Sequence, residues 1–328
     1  MDHPDVQRAI LVLGAGRSGT SAIARGLAAL GVELGDHLVR PNPRENPRGY
    51  FEDDDLRRLN DEVLAIAGSS NMSLNLVPAA TFTLPALAPL KERARTLIHH
   101  RYGRCRLWGF KDPRTAQVLP FWQDILRQDH YQDAYVLAVR NPLSVAASLA
   151  NIDAGFDVRR SCIFWLLRST SALTGIWDRP CVVVNYDTLL ADPRGQLGRV
   201  AKALNLPWTP PIAQAVETYA AEFLAADLRH ATHSRQDLQN HPAVPPVVWR
   251  AYESLTALAD DHLRPTDALV REAWTLIQQE LADFAPLLGY CQDLETRLDK
   301  HPSQRPAVPG TLHRLHHRLK RHFRRRLS

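Results

Sequence analysis

An apolar run at residues 10–13 leads directly into a glycine-rich turn, "GAGRSGTS" at 14–21. The alanine- and leucine-rich stretch after the turn has the spacing of an amphipathic helix. Backbone N–H groups at the start of a helix, approached through glycines, form a binding site for anions. The order apolar run, glycine turn and helix therefore predicts a site for a phosphate or a similar group.

Three kinds of phosphate loop fit this stretch incompletely. Gly14-x-Gly16-x-x-Gly19 matches a dinucleotide-binding fingerprint. The same segment approaches a nucleoside triphosphate loop, but Thr20 stands where that loop has its lysine. In the third interpretation, Arg17 supplies a cation inside the loop, and residues with hydroxyl side chains follow Arg17. This arrangement suits a nucleotide 5′-phosphate with a leaving group that faces the cation.

A second motif pairs Arg140 with Ser148, eight residues further along the chain. Arg140 follows an apolar run and precedes "NPLSVAAS", where a proline near the first turn favours a helix. A guanidinium with a nearby hydroxyl can bind a second phosphate of one nucleotide. Neither a dinucleotide fold nor a triphosphate hydrolase requires this pair.

Two other apolar runs also end in polar motifs. "KDPR" follows the run at 106–110, and "NYD" at 185–187 ends another. Because ligands of open parallel sheets bind beyond the carboxyl ends of the strands, we expect these motifs to lie on one edge with the glycine-rich turn.

The elements that must position these motifs alternate along the chain. Apolar runs at 10–13, 106–110, 134–140 and 181–186 are separated by segments with helical spacing, and from about residue 190 only helices are expected. This alternation predicts an α/β fold with a central parallel sheet flanked by helices on both faces and a helical C-terminal part.

Composition narrows the class of protein. The formal net charge is +5 with histidine neutral, but residues 311–328 contain seven lysine and arginine residues and no acidic one, and subtracting these seven charges leaves −2. We therefore expect no nucleic-acid partner. The four cysteines are widely spaced without a metal-ligand pattern, which predicts no metal site and a reducing compartment. No stretch approaches about 18 continuous apolar residues, so the sequence predicts a cytoplasmic protein without a membrane span.

Taken together, the motifs resemble those of sulfotransferases that use 3′-phosphoadenosine 5′-phosphosulfate (PAPS). "GRSGTS" at 16–21 is similar to the loop that binds the 5′-phosphosulfate, and the Arg140–Ser148 pair to the site of the 3′-phosphate. "NPRGYFE" at 46–52, "FKDPR" and "NYDTLLADP" resemble bacterial members. The resemblance covers about residues 9–205 and implies a P-loop-like fold with PAPS as the sulfuryl donor and no metal. It assigns cofactor binding to Gly16, Arg17, Ser18, Gly19, Thr20, Ser21, Arg140 and Ser148.

The same resemblance implies transfer of a sulfuryl group to a hydroxyl of a carbohydrate, lipid or small molecule. Arg17 would neutralise the leaving phosphate, with Lys111 beside it. A general base must receive the acceptor's proton. Three carboxylates qualify, in the order Glu52, Glu45, Asp112. A nucleotide-binding oxidoreductase or kinase on a similar sheet remains the alternative.

We expect one sulfotransferase domain at 1–300, with an α/β core at about 9–205 and a helical region at 206–300. The proline-rich "HPSQRPAVPG" at 301–310 predicts a linker. Leucine and phenylalanine recur every four residues in the basic segment 311–328. That spacing is typical of an amphipathic tail, for which contact with the inner membrane face is the functional alternative to a solvated tail.

Overall fold

The computed structural model of the 328-residue chain describes residues 6–42, 48–153, 155–224 and 232–300. Four strands form one parallel sheet: β1 (Arg8–Leu13), β2 (Leu107–Lys111), β3 (Gln132–Val139) and β4 (Cys181–Asn185). Their order across the sheet is β2-β1-β3-β4. After β1 the chain forms β2 on one side of β1 and then β3 on the other side. The strand order therefore reverses between the carboxyl ends of β1 and β3, and we call this place the reversal point.

Helices connect and cover the strands. Within the described part of the chain they are α1 (Thr20–Ala29), α2 (Asp54–Ile66), α3 (Ala88–Tyr102), α4 (Leu119–Gln128), α5 (Pro142–Ala150), α6 (Val158–Ile176), α7 (Tyr186–Ala191), α8 (Pro193–Ala203), α9 (Pro210–Glu222), α10 (Arg235–Asn240), α11 (Pro246–Ala259) and α12 (Ala268–Lys300). Short 3₁₀ helices span Ala79–Thr83, Pro85–Leu87 and Pro113–Ala116.

Both faces of the sheet are covered. Ile10, Val136 and Val184 belong to one buried cluster with residues of α1, α8 and α9. Strand side chains alternate between faces, so the residues between them point the other way. Helices α4 and α6 contact β3, and α11 contacts both β3 and β4. The predicted α/β fold with a parallel sheet and helices on both faces is confirmed.

Local sequence explains where several elements begin. Asp53 caps α2 by accepting hydrogen bonds from the N–H groups of Asp55 and Leu56, and a carboxylate at this position is favoured by the helix dipole. Pro142 occupies the first turn of α5, where its missing N–H has no cost.

The chain divides into two compact units, and the boundary lies between Ala285 and Pro286. The first unit contains the sheet, α1 to α11 and the N-terminal part of α12. The expected linker at 301–310 and basic tail at 311–328 lie outside the described residues, so both remain predictions. Among the described helices, none combines the length and the apolar character that crossing a membrane requires.

Candidate functional site

The glycine-rich turn passes close to the strand beside it. A Cβ on Gly14 would lie 2.7 Å from the carbonyl oxygen of Ala138, and Gly14 has a φ of 137°. Any side chain here would force β1 and β3 apart at their carboxyl ends. Gly14 thus lets the loop cross the sheet at the point where the strand order reverses.

The loop ends at the start of α1. Gly19 precedes α1 in a left-handed conformation, and no side chain caps the helix. The first N–H groups of a helix have no partners within the helix, so they are available to an anion. Ser18 adds a buried hydroxyl that has no hydrogen-bond partner among the described residues. A buried hydroxyl without a partner is unfavourable, so the loop fits a phosphate oxygen as its missing acceptor.

We expect Gly19→Ala to destabilise the protein more than Gly31→Ala. The two glycines have nearly equal φ values, 86° and 87°, but a Cβ on Gly19 would lie 2.1 Å from the Tyr186 ring, whereas one on Gly31 would meet nothing within 4 Å. The left-handed conformation alone costs about 1–2 kcal/mol for a residue with a Cβ. Urea unfolding of both variants measures the difference, and equal losses would show that Tyr186 does not restrict the loop.

Three predicted phosphate ligands lie together at the reversal point. Arg17 Nε donates a hydrogen bond of 2.9 Å to Ser148 Oγ, and Arg140 donates one of 3.2 Å to the carbonyl oxygen of Arg17. The sequence motif predicted that Ser148 acts with Arg140. The structure shows that Ser148 contacts Arg17, and joint action of Ser148 and Arg140 on one phosphate stays a prediction.

Arg140 is buried and lies over the ring of Tyr186 at 4.8 Å. Burial lowers the pKa of the Arg140 guanidinium, and the nearby charge of Arg17 acts in the same direction. A bound phosphate would relieve both effects, since it supplies negative charge to two neighbouring cations.

Asn141 holds α5 in place next to this cluster. Its side-chain oxygen caps α5 by accepting from the Leu143 N–H at 2.9 Å. Its Nδ2 donates to the carbonyl oxygens of His233 and Ser234, both at 3.0 Å. Asn141 therefore ties the start of the helix that carries Ser148 to the helical C-terminal part, a role that the asparagine–proline sequence did not reveal.

Glu52 and Lys111 form a buried ion pair. Lys111 Nζ donates to Glu52 Oε1 at 2.7 Å, and both side chains are almost inaccessible. Arg114 approaches the other carboxylate oxygen, Oε2, to 3.8 Å, which is too long for a hydrogen bond. Two predicted catalytic residues, 59 positions apart in the sequence, are thus in direct contact.

Asp112 lies behind this pair. Its Oδ1 accepts from the backbone N–H of Arg114 at 3.0 Å and from the Arg114 guanidinium at 2.8 Å. Its Oδ2 accepts from Asn60 Nδ2 at 2.8 Å. With both oxygens engaged, Asp112 is placed to orient Arg114, and its rank as the last candidate base is unchanged.

Arg114 is fixed by carboxylates on three sides. Besides Asp112 and Glu52, it contacts Asp61 through Nε at 2.6 Å. Burial opposes its charge, but Asp112 and Asp61 outweigh burial and raise the pKa of the guanidinium. Asn60, on α2, completes the network by accepting from Trp122 Nε1 at 2.7 Å, and no sequence motif pointed to it.

A cleft of about 370 Å³ joins the phosphate loop to the ion pair. Gly16, Arg17, Thr20 and Ser21 line it together with Glu52, Lys111 and Arg114. Ser21 Oγ donates to the carbonyl oxygen of Tyr50 at 3.1 Å and so connects α1 to the segment that carries Glu52. Glu45, the second candidate base, lies outside the described residues.

One cluster has the composition of a metal site. Ligand atoms of His37, Asp53 and Asp55 lie within 4.8 Å of one another. Arg101 forms ion pairs with both aspartates, so its guanidinium already offsets part of their charge. The prediction that the reaction needs no metal is not tested by this arrangement.

Comparison with known proteins finds three solved structures and one family model that are similar to this chain. The sulfotransferase domain of the Synechococcus PCC 7002 olefin synthase aligns with 15% identity and a TM-score of 0.41, covering 86% of this chain and 98% of that domain. The sulfotransferase domain of the curacin biosynthetic pathway aligns with 16% identity and a TM-score of 0.38, covering 84% and 98%. Sulfotransferase STF1 of Mycobacterium tuberculosis aligns with 18% identity and a TM-score of 0.35, covering 65% and 72%.

Among curated proteins, none matches the sequence significantly. The model of the sulfotransferase family matches residues 9–210, which is more than half of the chain and includes the phosphate loop, the Glu52–Lys111 pair and Arg140. The resemblance inferred from the motifs is thereby confirmed: the chain belongs to the sulfotransferase family.

Proposed function

We propose that the protein transfers a sulfuryl group from PAPS to a hydroxyl group of a carbohydrate, lipid or small-molecule acceptor. The observation that carries the proposal is the shared cleft, in which the phosphate loop and the Glu52–Lys111 pair face the same space. A binding site for a nucleotide phosphate therefore adjoins a carboxylate and two cations, as sulfuryl transfer requires.

The donor would be held by residues already described. The loop N–H groups, Ser18 and Arg17 would bind the 5′-phosphate, and Arg140 would bind the 3′-phosphate. PAPS supplies the sulfuryl group when bound. As in phosphoryl transfer, positioning and electrostatic stabilisation of the leaving phosphate then provide most of the catalysis.

Glu52 is proposed as the general base that takes the proton of the acceptor hydroxyl. Its Oε1 is engaged by Lys111, whereas Oε2 forms no hydrogen bond with Arg114 and belongs to a side chain that lines the cleft. Oε2 would take the hydroxyl proton while the acceptor oxygen forms its bond to sulfur and the bond from sulfur to the phosphate oxygen breaks. Lys111 and Arg114 would stabilise the negative charge around the transferred group.

The alternative, an oxidoreductase or kinase on a similar sheet, has less support. Thr20 occupies the position of the triphosphate-loop lysine, and Arg140 provides a second cation that neither NAD nor ATP needs. The expectations of a cytoplasmic location, of no nucleic-acid partner and of membrane contact through the tail are part of this proposal.

Calorimetric titration with adenosine 3′,5′-bisphosphate (PAP), NAD and ATP separates the alternatives. We expect PAP to bind most tightly, because it alone offers phosphates to both Arg17 and Arg140. A screen of hydroxyl acceptors with ³⁵S-labelled PAPS then tests transfer. Tighter binding of NAD or ATP would contradict the proposal, and PAP binding without transfer to any acceptor would indicate a binding module.

A further inference from the structure

The cleft contains residues to which no role has yet been assigned. Seven of its sixteen lining residues belong to the phosphate loop and to the Glu52 cluster, and nine have no role so far. Six of these nine are apolar: Val39, Met72, Pro113, Leu149, Ile152 and Phe164. We call these six residues the apolar wall.

The polar residues beside the wall supply little net charge. Arg57 pairs with Asp54 at 2.7 Å and with Asp61 at 3.1 Å, and the same two carboxylates also pair with Arg58 and Arg114, so its charge is offset within this network of ion pairs. The other two are Tyr50 and Asn71. A carbohydrate presents a hydroxyl on almost every carbon, and each hydroxyl that leaves water needs a new hydrogen-bond partner. The apolar wall offers these hydroxyls no partners.

The wall is held in shape from behind by Arg168. This side chain of α6 is buried and donates hydrogen bonds of 2.9 Å to the carbonyl oxygens of both Asn71 and Ser73. Its guanidinium also lies 4.7 Å from the centre of the Phe164 ring. Arg168 therefore fastens the turn that carries Met72 to the helix that carries Phe164, so two separate parts of the wall form one preorganised surface.

From this arrangement we infer that the acceptor is an uncharged alcohol with an apolar carbon skeleton. Its hydroxyl would face Glu52 and its skeleton would lie against the apolar wall. This inference rests on the proposed function, because it assigns the acceptor half of the same cleft.

A homologous series of alcohols tests it directly. Transfer from labelled PAPS is measured for the primary alkanols from propan-1-ol to octan-1-ol, with methyl glucoside as the carbohydrate comparison. Burial of one methylene stabilises by about 0.8 kcal/mol, which is about a fourfold change in an equilibrium constant. We expect kcat/KM to rise by about fourfold per added carbon until the wall is filled. A flat series, or a higher kcat/KM for methyl glucoside than for octan-1-ol, would overturn the inference.

Two isoleucine variants provide a matched control. Ile152 lines the cleft and is 41% exposed, whereas Ile66 is 39% exposed and does not line it. Asparagine at either position should leave the protein folded, since neither side chain belongs to the buried core. We expect Ile152→Asn to lower kcat/KM for octan-1-ol at least fivefold through KM, with unchanged affinity for PAP, and Ile66→Asn to change neither. Equal effects of the two substitutions would show that the wall does not bind the acceptor.

Failure of this inference can be distinguished from failure of the proposed function by measuring the binding of octan-1-ol in the absence of donor and, separately, the binding of PAP. If octan-1-ol binds the wild type more tightly than Ile152→Asn but PAP does not bind, the choice of donor is wrong and the apolar wall stands. If PAP binds and methyl glucoside is the better acceptor, the donor assignment stands and the apolar acceptor is wrong.

Discussion

Glu52→Gln is expected to lower the turnover number by about 10²–10⁴-fold, the usual contribution of a general base. Glutamine has the same shape, and its amide oxygen can still accept the hydrogen bond from Lys111 Nζ, but it cannot take the acceptor's proton. Binding of PAP should be unchanged, because the proposed phosphate ligands lie on the loop after β1 and at Arg140. Steady-state kinetics with labelled PAPS and calorimetry with PAP measure the two quantities.

The control variants address the other carboxylates and the stability of the ion pair. Breaking a buried ion pair by removing one charge destabilises a protein by about 3–5 kcal/mol, so urea unfolding of Glu52→Gln must accompany the kinetics, at a temperature where the variant is folded. Glu45→Gln and Asp112→Asn are measured in parallel. Near-normal turnover of Glu52→Gln together with an inactive Glu45→Gln would transfer the assignment to Glu45.

Arg140→Ala is expected to weaken binding of PAP by about 1.5–3 kcal/mol, the range for a hydrogen bond to a charged group. This corresponds to a dissociation constant about 10- to 150-fold higher. Binding of 5′-AMP should change little, since that ligand lacks the 3′-phosphate. Calorimetric titration of both ligands gives the comparison, and equal weakening of the two would contradict the assignment of Arg140 to the 3′-phosphate.

Two further variants separate charge from geometry in this test. Arg140 also donates to the carbonyl oxygen of Arg17, so part of any loss could come from a displaced loop. Arg140→Lys keeps the positive charge and should retain a larger share of the PAP affinity than Arg140→Ala. Ser148→Ala removes the contact with Arg17 Nε, and we therefore expect it to weaken binding of 5′-AMP as well as of PAP.

Local interactions made much of the fold predictable from the sequence. The expected apolar runs correspond to β1 through β4, and α2 begins directly after its capping residue Asp53. Short-range rules decide these features: side-chain alternation in strands, capping carboxylates and proline in a first turn. The phosphate loop belongs with them, because its glycine positions and its place between strand and helix are local properties.

The site was predictable as a set of residues but not as a set of contacts. The motifs after β1, β2 and β3 were expected on one edge, since parallel strands align their carboxyl ends, and the cleft does contain Arg17 and Lys111 together. Asn60 and Arg168 were missed, because a buried asparagine or arginine within a helix has no distinguishing local pattern. Their importance arises only from the turns and side chains that other segments bring against them.

The sequence by itself therefore determined the alternation of strands and helices and the position of the glycine-rich loop, because each depends on residues within a few positions of one another, and it proposed Glu52 as the candidate base. Only the tertiary structure decided that Ser148 contacts Arg17, that Lys111 pairs with Glu52 and that Asp112 orients Arg114. It also decided that six apolar side chains from distant segments share one cleft. These contacts depend on strand order and on the paths of loops between strands, which are set by long-range packing of the whole sheet rather than by any single stretch of the chain.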